Sequence, residues 1–62
     1  MKRNNRFYHI ERDEIVLEDR KIVDALRSAR KDFEDGAIVE CMDTIAEIYN
    51  ALALFTKQEE AR

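Results

Sequence analysis

The chain has 62 residues, a net charge of −3, one cysteine, one glycine and no proline. So short a chain holds one small core, and chains of this size generally gain stability from disulfides, a metal or a partner subunit. A lone cysteine excludes an internal disulfide, and a structural zinc site needs about four Cys or His ligands, which Cys41 and His9 cannot supply. A partner chain is the remaining source.

Charge alternates in blocks: basic through residues 1–6, acidic through 11–19, basic through 20–31 and acidic through 32–50. No single polybasic or acidic tract stands out. No apolar run reaches the ~18 residues of a membrane span. The basic start "MKRNNR" is followed by no apolar segment of the secretory type. These features and the single thiol predict a cytoplasmic protein.

Residues 1–12 read as an N-terminal arm. The stretch "RFYHI" is either a short strand or a segment that docks Phe7 and Tyr8 on the body, because adjacent aromatics beside a small core are poorly placed in water. Residues 13–58 read as an antiparallel helical hairpin, with helices over about 14–34 and 37–57. In the first helix Ile15, Ile22, Leu26, Ala29 and Phe33 recur at helical spacing. Asp13 is a candidate N-cap, and Glu14, Glu18 and Asp19 suit the positive end of the helix dipole. Gly36 is the natural left-handed terminator. Residues 59–62 form a tail.

The second helix carries the widest apolar arc. Ile38, Met42, Ile45, Tyr49 and Leu52 form a central stripe, flanked by Cys41, Ile48 and Phe55 on one side and by Val39, Ala46 and Ala53 on the other. The arc covers roughly 200°, about twice that of a surface helix. Glu40, Asp43, Thr44, Glu47 and Asn50 mark the wet side. The first helix covers only part of such an arc, and an exposed remainder is rare on a monomer. The predicted fold class is therefore all-α: a helical hairpin with a short N-terminal arm, dimerising into a four-helix bundle. Its predicted interface is Cys41, Ile45, Ile48, Leu52 and Phe55.

Nothing in the sequence names a reaction. There is no Gly-rich phosphate loop and no nucleophile motif. The carboxylates fall on helix surfaces or ends, where solvation explains them. Cys41 reads as a small buried hydrophobe. The expectation is a protein that is not an enzyme and has no cofactor or metal. It would be a regulatory or adaptor protein acting by protein–protein interaction as a homodimer, with another protein as partner. The alternative is a nucleic-acid-binding regulator contacting phosphates through Lys2, Arg3, Arg6 and Tyr8 of the arm and Arg20, Arg27 and Lys31 of the first helix. Asp24 in the middle of that face weakens the alternative.

No motif aligns with a known family. The length and hairpin resemble, in architecture alone, small dimeric helical regulators such as the RNA-binding plasmid copy-control proteins. A ribbon-helix-helix arrangement would use "RFYHI" as its strand. Its alternate side chains are not the polar readers such a strand needs.

Overall fold

The computed structural model of the protein describes residues 5–61. The chain order is β1 (Tyr8–Glu11), β2 (Glu14–Leu17), α1 (Asp19–Glu34) and α2 (Ile38–Glu60). The all-α expectation is therefore corrected: a two-stranded antiparallel hairpin precedes the two helices. Residues 14–17, which the helical period had drawn into the first helix, form a strand instead. The register pairs Tyr8 with Leu17, His9 with Val16, Ile10 with Ile15 and Glu11 with Glu14. The run Ile15-Val16-Leu17 is largely β-branched, and such side chains sit better on a pleated surface than in a helix.

Arg12 and Asp13 close the β-hairpin, both in the left-handed region at φ 53° and 63°. Two left-handed residues between paired strands make a type I′ turn, whose twist matches that of the strands. Its usual signal is Asn-Gly or Asp-Gly, and neither is present here. The ladder runs on past the strands, since the Glu18 amide donates to the Phe7 carbonyl at 2.8 Å. Paired bonds alternate along such a ladder. Tyr8 and Ile10 on β1, and Ile15 and Leu17 on β2, thus turn their backbone groups outward.

Gln58 of α2 closes part of that outer edge. The Ile15 amide donates to Gln58 Oε1 at 2.6 Å, and Gln58 Nε2 donates to the Ile15 carbonyl at 3.1 Å. One side-chain amide thus takes the place of a neighbouring strand's peptide group and ties the β-hairpin to the far end of α2. The strand that a ribbon-helix-helix would offer to a second chain is paired within this one on its β2 side.

Helix α1 begins at Asp19, with the Ile22 amide donating to the Glu18 carbonyl at 3.0 Å. The Glu18 side chain does not cap the helix; it accepts a hydrogen bond from His9 Nδ1 at 2.5 Å. At the other end Gly36 has φ +84°. The Ala37 amide donates to Asp32 at 2.8 Å and the Gly36 amide to Phe33 at 3.1 Å. Those two bonds make the Schellman terminator, with glycine at the position where a side chain would be strained.

The core is small: Phe7, Ile22, Ala25, Ile48 and Ala51 form one cluster, with Tyr8 and Leu17 against it. Phe7 is 1% exposed and is the largest fully buried side chain. Ala25, Ala29 and Ala51 on the facing sides let the helices approach closely.

Candidate interaction surface

Which side chains of the helices turn inward follows a strict spacing. In α1 the residues that are not exposed are Ile22, Ala25, Ala29 and Asp32; in α2 they are Cys41, Thr44, Ile48, Ala51, Phe55 and Gln58. Both sets step by three and four, the spacing of a seam between two helices. This seam joins α1 to α2 within the chain.

The inward side differs from the one expected. Ile48, at 4% exposure, lies inside the chain, and Cys41 and Phe55 are half-buried along the same seam. The central stripe turns outward instead: Ile45 is 45% exposed, Met42 63% and Tyr49 69%, with Ile38 and Leu52 also exposed. Thr44, assigned to the wet side, is half-buried. The inward side of α2 lies one residue step, about 100°, from the central stripe. Of the five side chains expected at a dimer interface, Ile45 and Leu52 are outward; Cys41, Ile48 and Phe55 belong to the intrachain seam.

The outward residues form a second seam. On α2 it runs Ile38, Met42, Ile45, Tyr49, Leu52, again in steps of four and three, one residue beyond the first seam. On α1 the same offset gives Val23, Leu26, Arg30 and Phe33, of which Val23, Leu26 and Phe33 are large exposed apolar side chains. In antiparallel helices a shift of one residue in the same sense moves both seams to the same side of the pair. The hairpin therefore has a broad apolar face. A shallow open depression of about 440 Å³ lies at its far end, bordered by Tyr49, Leu52, Ala53 and Thr56.

The opposite side of the helical pair is where the arm lies. Asn5 Nδ2 donates to the Glu47 carbonyl at 2.9 Å, and Arg6 is 3.5 Å from the Glu47 carboxylate. The Arg6 guanidinium sits 4.7 Å from the centre of the Phe7 ring. Phe7 borders Lys21, Ala25 and Ser28 of α1.

The basic residues do not converge. Lys2 and Arg3 lie outside the described residues. Arg6 is held by Glu47, and Tyr8 is half-buried against the core. Lys31 pairs with Asp35 at 3.5 Å and Arg30 with Glu34 at 3.3 Å, each one helical turn on. Arg20 and Arg27 flank a depression of about 500 Å³ that Asp19 and Asp24 share, so its charges balance. Among the described residues no three His, Cys, Asp or Glu side chains are grouped so as to hold a metal ion, and no helix is long and apolar enough to cross a membrane.

The chain matches no family model, no curated protein and no solved structure. The functional reading therefore rests on the two-seam geometry.

Proposed function

We propose that the chain is a small, non-catalytic regulatory or adaptor protein that works by protein–protein interaction, with the open apolar face as its working surface. The observation that supports this is the second seam. Scattered exposed apolar side chains are ordinary on any protein. Eight large ones on one face, spaced for a helical neighbour on both helices, form a contiguous patch of the kind that marks an interaction site. A single half-buried thiol suits a reducing compartment, so the same reading places the protein in the cytoplasm.

Nucleic acid is the weaker partner. Phosphate binding needs a cluster of cations free to reach a backbone, and Arg6, Arg30 and Lys31 each pair with a carboxylate while Arg20 and Arg27 share their depression with Asp19 and Asp24.

A photo-reactive amino acid introduced at position 42, and separately at position 43, tests the reading in native cells. Met42 lies on the open face and Asp43 points away from it. Protein adducts, whether to a second copy or to another protein, are expected from position 42 alone. Equal yields from both positions, or none from either, would remove the proposal.

A further inference from the structure

We infer that the occupant of the open face is a second copy of this chain, and that α1 of each copy lies antiparallel across α2 of the other. This rests on the interaction reading above and names its partner.

The first support is area. The eight exposed apolar side chains on the face present roughly 800 Å² per copy, which is about what each partner contributes to a standard stable interface. A single short helix would cover only part of it.

Shape is the second. The face consists of two seams, one on each helix, each with three–four spacing. Two helices at the same separation match both seams at once. A second hairpin of this sequence supplies them, and its own face needs the same cover, as an isologous two-fold contact requires.

Charge complementarity sets the layout. Helix α1 carries five basic and four acidic side chains, whereas α2 carries one basic and five acidic. Stacking α2 on α2 would bring two acidic helices together. Crossing α1 over α2 of the other copy pairs unlike charge and sets each helix antiparallel to its new neighbour, so that dipoles oppose. Arg30, the polar member of α1's seam, stands between Leu26 and Phe33 and pairs with Glu34. Its stem can cover apolar surface while the guanidinium stays in water.

Residues equally far from the turn lie level with each other in an antiparallel hairpin; Leu26, ten residues before Gly36, and Ile45, nine after it, lie within one residue step of that level. A two-fold axis parallel to the helices keeps that level between copies. Leu26 of one chain then faces Ile45 of the other, and neither residue faces its own equivalent.

Sedimentation equilibrium of the full chain at micromolar concentration should show a dimer. Met42→Lys should weaken the dimer at least ~100-fold, because it places a second cation in the apolar contact, level with Arg30 of the other copy. Asp43→Ala should leave it unchanged. If Met42→Lys disturbs the fold, Tyr49→Lys gives the same reading at a side chain already 69% exposed. With Cys41→Ser as background, mixing Leu26→Cys chains with Ile45→Cys chains should give a mixed disulfide in preference to either self-disulfide.

A monomer at all accessible concentrations overturns the inference. If position 42 of that monomer still forms adducts with a different protein in cells, the interaction reading survives alone. A dimer indifferent to both face variants, with no adducts at position 42, overturns both. A dimer that is sensitive to Met42→Lys but self-links at Ile45→Cys overturns the crossed layout.

Discussion

The two sides of the helical pair differ both in the side chains they carry and in what covers them. On one side the arm covers the helices: Asn5 and Arg6 anchor on Glu47, and Phe7 is the most completely buried large side chain in the protein. On the other side Met42, Ile45 and Tyr49 are exposed. The covered side carries fewer large apolar side chains of its own, and Phe7 arrives from the arm to complete it. The open side carries the larger set and stays exposed among the described residues. Intrachain folding thus completes the poorer face and leaves the richer one open.

Phe7→Ala should have the largest effect, because it strips the covered side of its largest fully buried side chain among the described residues. A buried Phe truncation costs about 3–5 kcal/mol. For a domain of this size that rivals the whole stability, so urea denaturation should show a chain largely unfolded. A cooperative transition near the wild-type midpoint would mean that the arm is not a structural cover.

The pair Ile48→Ala and Ile45→Ala compares the inward and outward seams on one helix. Truncation of buried Ile48 should cost about 2–5 kcal/mol. In a dilute sample, where chains are separate, truncation of Ile45 should cost under ~1 kcal/mol. Equal losses for the two would erase the distinction between the seams.

Gln58→Ala tests the tie between α2 and the β-hairpin. It leaves the Ile15 amide and carbonyl without their partner, at a cost of about 1–3 kcal/mol. Amide exchange at Ile15 should accelerate with the helices little affected. An unchanged exchange rate would show that water replaces the side chain without loss.

Gly36→Val should destabilise by about 1–2 kcal/mol, read as a lowered thermal midpoint, since φ +84° is strained for any side chain although there is open space for one. A stabilised variant would mean that the turn can be rebuilt, and with it the choice of inward seam.

The smallest effect should come from Arg12→Asn combined with Asp13→Gly. Residues suited to the type I′ turn should stabilise the β-hairpin by up to ~1 kcal/mol. A loss of stability would show that the Arg12 or Asp13 side chain contributes more than its backbone strain removes.

From the sequence by itself came the two-helix body, the stop at Gly36, the docking of Phe7 and an apolar arc on α2 too wide for one neighbour. Each rests on a local or periodic signal: a lone glycine, an aromatic pair, spacings of three and four. The β-hairpin was not legible, because Arg12-Asp13 carries none of the usual turn residues and Ile15 happens to fall in phase with the helical stripe that follows. Gln58 gave no signal either, since its partner lies 43 positions away. The orientation of α2 about its own axis was decided only in three dimensions. An arc of apolar residues says how much of a helix avoids water. Which half turns inward depends on the dihedrals of a three-residue turn, on the close approach that Ala25, Ala29 and Ala51 permit, and on the space that Phe7 occupies.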